Sequence, residues 1–211
     1  MSTITQDRQS AVRRNKTLLG SVVAGIAAVA LSIGAPVAAN AATVVTGAQT
    51  GEWDLIAVSK TPLEVVNFDH SGAGSYKDVD APAGWFAVGS GKVIDGDDAT
   101  SITPVGGGGI RIDDAFASPT VNRTYTVQLT GVPAGTNVKI TDPTNPSTVY
   151  FDTSVGDNTE SFVLPAGATA DFHEHFTWTF TTSASQAQIG VKVTGSGLGA
   201  GGKTNNILFK F

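Results

Sequence analysis

The residues of this chain best suited to chemistry lie in one run, Phe172-His173-Glu174-His175-Phe176-Thr177-Trp178-Thr179-Phe180. Read as a β-strand, it places Phe172, Phe176, Trp178 and Phe180 on a core face, with Glu174 among them near its start. His173, His175, Thr177 and Thr179 take the opposite face. Same-face residues two apart stand roughly 7 Å from one another, so two neutral imidazoles can converge on one metal ion. A third donor is available from Asp171, Glu174 or His70, the remaining histidine, which follows Asp69 in a loop-like stretch. The candidate metal ligands are therefore His173, His175 and His70, with Zn2+ the expected ion. The alternative is a pair of exposed histidines hydrogen-bonded to neighbouring threonines or to a loop.

Other chemistries fare worse. The chain has no cysteine, which excludes disulfides, thiolate zinc sites and cysteine nucleophiles. Gly197-x-x-x-x-Gly202-Lys203-Thr204 matches the phosphate-loop pattern in letters. That loop must open a helix, yet only Asn205–Phe211 follows, so the stretch reads as a linker before a last strand. Asp95-Gly96-Asp97-Asp98 has the oxygen density calcium favours, but neither the EF-hand spacing nor its closing glutamate. It reads as a turn, as do Asp113-Asp114 and the acids at Asp78 and Asp80. Ser90 lacks a recognisable base, and no carboxylate pair stands out. No catalytic residue is assigned, and the chain reads as a non-enzyme.

The elements that must position these histidines are strands. In 124–130, Tyr125, Val127 and Leu129 alternate with Thr124, Thr126, Gln128 and Thr130; Val138 and Ile140, Phe162 and Leu164, and Ile189, Val191 and Val193 repeat the period. Turn clusters separate them, among them Pro133-Ala134-Gly135, Asp142–Pro146 and Pro165-Ala166-Gly167. Earlier strands are expected at 53–59, 62–68, 84–88 and 110–112, with Gly106–Gly109 a flexible connection. This spacing predicts an all-β sandwich of Ig-like or jelly-roll type over 42–194, then a Gly-rich linker and C-terminal strand over 195–211.

Residues 1–41 read as a signal peptide. Arg8, Arg13, Arg14 and Lys16 precede an uncharged run from Leu18 to Ile33, and Ala39-Asn40-Ala41 forms an A-x-A cleavage site. An uncleaved anchor is the competing reading, with Pro36 and the small residues near Ala39 favouring cleavage. Removal takes four of thirteen basic residues and one of eighteen acidic ones, moving the formal charge from −5 to −8. An acidic, extracytoplasmic surface suits solubility or cation binding better than nucleic acid or anionic lipid, and after cleavage no membrane span is expected.

His173-x-His175-x-x-Trp178-x-Phe180-Thr181, closing a β-domain, resembles the HxHxxWxFT signature of actinobacterial surface-anchored domains. These occur in "choice-of-anchor M" wall proteins and in repeat proteins associated with ABC transporters. Val121–Thr130, Thr148–Thr153, Gly51-Glu52-Trp53-Asp54-Leu55 and Ala83-Gly84-Trp85-Phe86 fit the same pattern over about 44–194. Two departures stand out: Ser183–Gln186 replaces the usual Gly-x-Tyr, and Trp53 takes the place of a first histidine near the opening strand. The resemblance implies a role near metal uptake, with a metal-type ABC transporter or another envelope component as partner. Gly167 followed by His173-x-His175 also fits the first half of a cupin motif. However, Thr179 and Phe180 stand where that motif needs glutamate, and no histidine follows His175. The expected function is thus an exported envelope or secreted binding module linked to divalent metal acquisition. A structural surface protein without metal, and a cupin-like metalloenzyme, are the alternatives.

Overall fold

The computed structural model describes residues 42–60, 63–96, 105–113, 120–167 and 172–211. The expected leader over 1–41, and Asp97, Asp98, Asp114 and Asp171, lie outside them. The described strands are β1 (Thr43–Gln49), β2 (Gly51–Val58), β3 (Val65–Asp69), β4 (Ser75–Ala87), β5 (Val93–Ile94), β6 (Val105–Ile112) and β7 (Arg123–Leu129). They continue with β8 (Thr136–Thr141), β9 (Val149–Asp152), β10 (Thr159–Leu164), β11 (Phe172–Glu174), β12 (Thr177–Thr182), β13 (Gln186–Gly195) and β14 (Lys203–Lys210). One 3-10 turn, Thr153–Val155, follows β9.

The strands form two sheets. The larger runs β10-β7-β13-β14-β4-β3-β2-β6-β11, with β1 also paired to β4; the smaller runs β5-β12-β8-β9. The all-β sandwich expected from the alternation is what the chain forms. In β7, Tyr125, Val127 and Leu129 are buried while Thr124 is exposed, and Ala187, Ile189, Val191 and Val193 do the same in β13. β2 departs from alternation, because every residue from Trp53 to Val58 is buried. It lies inside the larger sheet between β3 and β6, pairing in parallel with β6. Strands covered on both faces carry near-continuous apolar runs.

Aromatic rings join the layers. Trp178 and Phe180 on β12 lie 5.9 and 4.8 Å from Phe209 on β14, which neighbours Phe86 at 6.1 Å. The Trp178 indole donates a buried 2.8 Å hydrogen bond to the Gly108 carbonyl on β6.

Three local expectations change. The histidine run is not one strand. β11 pairs with β6 in the larger sheet, whereas β12 pairs with β8 and β5 in the smaller one, so the chain changes sheets at His175-Phe176. The crossing passes so close to glycines that a Cβ at Gly96 or Gly108 would stand 2.5 or 2.4 Å from Phe176 backbone atoms. Gly106–Gly109 is no flexible connection but the buried middle of β6, and glycine in a strand interior marks close backbone approach. The final strand begins at Lys203, within the stretch read as linker, and lies inside the larger sheet between β13 and β4, with Ile207 and Phe209 in the core. Lys203 and Thr204 thus open a strand, not the helix a phosphate loop requires.

Candidate metal centre

Asp54 is fully buried, an unusual place for a carboxylate unless other groups compensate its charge. Three imidazoles surround it. His173 Nε2 is 2.9 Å from Oδ1, His70 Nε2 is 3.0 Å from Oδ2, and His175 Nε2 is 3.8 Å from Oδ1. One donor atom from each of Asp54, His70, His173 and His175 lies within 4.8 Å of all the others. Two ligands bound at about 2.1 Å with tetrahedral geometry would stand about 3.4 Å apart, so this spacing suits a single ion.

Each donor is set by a different part of the sheet. Register shifts in the β2–β6 pairing on both sides of Asp54 mark irregularities of the kind that re-aim a side chain. His70 follows β3, and its backbone N–H donates to the Glu52 carbonyl at 3.2 Å. His173 sits on β11 opposite Arg111 of β6. His175 stands in the sheet crossing, which is tied down by a 3.3 Å bond from the Phe176 N–H to the Gly107 carbonyl. Gly109 leaves the space that the Asp54 carboxylate occupies, since a Cβ there would lie 1.8 Å from Oδ1.

Hydrogen bonding leaves part of the cluster unsatisfied. His173 Nε2 and Asp54 Oδ1 form a hydrogen bond. Asp54 Oδ2, His70 Nε2 and His175 Nε2 are buried and have no aligned partner among the described residues. His70 and Asp54 thus face each other at 3.0 Å without hydrogen-bond alignment, as two donors to a shared third atom would. Buried polar atoms rarely go unpaired, and a cation among these atoms would satisfy all three.

The charges fit the same picture. Burial pushes the Asp54 carboxyl up, but its contacts with His173 and His70 and their charge outweigh this and hold it below its usual value. The Asp54 contact, opposed by burial, holds His70 above the ordinary histidine value. Burial, reinforced by neighbouring His173, pushes His175 down, toward the neutral form that ligates a metal.

His70, His173 and His175 are therefore brought together, although Asp54 and His173 lie 119 positions apart along the chain. Sequence reading missed Asp54. The signal was present, because Asp54 is an acid inside the apolar run Trp53–Val58. Glu174 is not a donor; it lies on β11 beside the core, where burial raises its carboxyl. Asp113 is engaged elsewhere, accepting a hydrogen bond from the Tyr76 hydroxyl and pairing with Arg111 Nε at 2.9 Å.

No protein-family model matches the chain, and no curated protein matches it. Among solved structures, the collagen-binding domain of a Staphylococcus aureus adhesin is similar at 14% identity with a TM-score of 0.30, covering 49% of this chain and 85% of that domain. Among the described residues, no helix is long and apolar enough to cross a membrane.

Proposed function

We propose that this chain is an exported β-sandwich binding module of the cell envelope that holds a divalent transition metal, Zn2+ foremost, at Asp54, His70, His173 and His175. The observation that carries this reading is the wholly buried Asp54 carboxylate with three imidazole nitrogens gathered round it, one donor atom from each residue lying within 4.8 Å of all the others. Four protein donors complete a tetrahedral shell, whereas catalytic zinc keeps a position open for water or substrate. Binding, not turnover, is the activity this donor set favours. The transporter connection is supported by the HxHxxWxFT-like segment, which suits a module handling metal beside an ABC permease.

Titration calorimetry on the mature chain tests the reading. Zinc should bind with one ion per chain at neutral pH, and a His173→Ala/His175→Ala variant should show no measurable binding. Protons compete for the imidazoles, so affinity should weaken as the pH falls. Because Asp54 holds the folded His70 above the ordinary histidine value, that weakening should set in at higher pH than for a free imidazole, while His175, pushed down by burial, stays neutral to lower pH. Wild-type protein that takes up no zinc at pH 7.5, or a double variant that binds equally well, would leave the cluster as a hydrogen-bonded surface network.

Export makes a separate prediction. Mass spectrometry of the secreted or envelope protein should find a mature chain beginning at Ala42. A full-length chain confined to membranes would show that the leader is retained as an anchor.

A further inference from the structure

A second carboxylate lies at the rim of the cluster. Glu52 precedes Asp54 by two residues on β2, and both carboxylates turn toward the histidines. Glu52 Oε1 stands 3.5 Å from His175 Nε2 and 3.8 Å from His70 Nδ1. The neighbouring strand meets the two acids with glycines: Glu52 pairs with Gly106 and Asp54 with Gly109, across a register shift that leaves Gly107 against the Glu52 stem. A Cβ on Gly109 would collide with Asp54, and one on Gly107 would lie 3.1 Å from Glu52 Cγ and 3.3 Å from the Trp53 carbonyl. Gly107 also has a φ of 80°, which disfavours any side chain there. The Glu52 stem accordingly lies across β6, leaving the side chain only 25% exposed. His175 Nε2, buried and without an aligned partner among the described residues, faces this carboxylate at a separation suited to two ligands of one ion.

We infer that Glu52 is a fifth protein donor, making a site of three imidazoles and two carboxylates that accepts Mn2+ as well as Zn2+. The inference rests on the metal-binding reading above and specifies the class of ion. Four donors already satisfy tetrahedral zinc. A fifth, anionic oxygen contributes most to a harder cation of higher coordination number, for which carboxylates are preferred ligands.

The test uses Glu52→Gln, which keeps the size of the side chain and removes its charge, and Glu52→Asp, which keeps the charge and shortens the reach. Mn2+ and Zn2+ affinities are measured on the mature chain by competition titration at pH 7.5. Both variants should lose at least about tenfold in Mn2+ affinity and less than about threefold in Zn2+ affinity. Equal losses for the two ions in Glu52→Gln overturn the inference, because Glu52 then acts through charge alone. Wild-type affinities in either variant overturn it as well, as does a wild-type protein that binds zinc but no manganese. A wild type that binds neither ion defeats the metal-binding reading itself, a failure visible before any variant is made.

Discussion

Replacing Gly109 by alanine should weaken zinc binding severely without removing any donor residue. The new Cβ would stand 1.8 Å from Asp54 Oδ1, 2.8 Å from its Cγ and 3.2 Å from His175 Cδ2. Asp54 has no exposed surface. The carboxylate would have to move by more than 1 Å, or β2 and β6 would have to separate. Displacing one donor that far disperses the cluster, and zinc affinity should fall by at least about a hundredfold. Forcing an extra carbon into a filled interior should also cost about 1–3 kcal/mol of stability. Gly109 is not at a positive φ, so the loss would be steric rather than a backbone effect. Calorimetry gives the affinity, and urea unfolding followed by circular dichroism gives the stability. A Gly109→Ala protein with wild-type zinc affinity would remove Asp54 from the coordination shell.

Trp178→Ala should cost about 3–5 kcal/mol, a large fraction of the 5–15 kcal/mol that typically separates a folded domain from its unfolded chain. Its side chain is wholly buried between the sheets, beside Phe180 and Phe209. Truncation opens a cavity and strands the Gly108 carbonyl, which accepts the indole N–H. Trp85 supplies the control. It is only partly buried, with the Lys210 ammonium 3.5 Å from its ring centre, and Trp85→Ala should cost about 1 kcal/mol or less. Urea midpoints for the two variants decide the matter. Similar losses in both would mean that Trp178 does not join the layers.

The parts of this molecule legible in its sequence are those where local pattern and final position agree. Tyr125, Val127 and Leu129 alternate in β7 because one face of that strand meets the core. The same logic sent Trp178 and Phe180 inward and grouped His173 with His175. It failed where neighbours come from far along the chain. Asp54 reads as an ordinary acid of an opening strand until β6, β11 and the turn after β3 are folded around it, and nothing local specifies that pairing. Gly106–Gly109 reads as a flexible linker because glycine serves both mobility and close approach. Only Asp54 on one side and Phe176 on the other show which role applies here. The break at His175-Phe176 was hidden for a related reason, since a run that keeps a period-2 pattern in its aromatic residues can still change sheets.

The 119-position separation of Asp54 and His173 along the chain also bears on when the site comes into being. A ribosome making this chain releases Asp54 and His70 long before the last two histidines exist, and the parallel β2–β6 pairing that supports them is itself non-local. A half-made or unfolded chain therefore offers only separate, weak ligands to the metals around it. On the proposed reading, the ion would be chosen by whatever is present where the domain finishes folding. A chain carried across a membrane before it folds would thus arrive without cargo and be charged from the far side, however abundant competing metals were where it was synthesised.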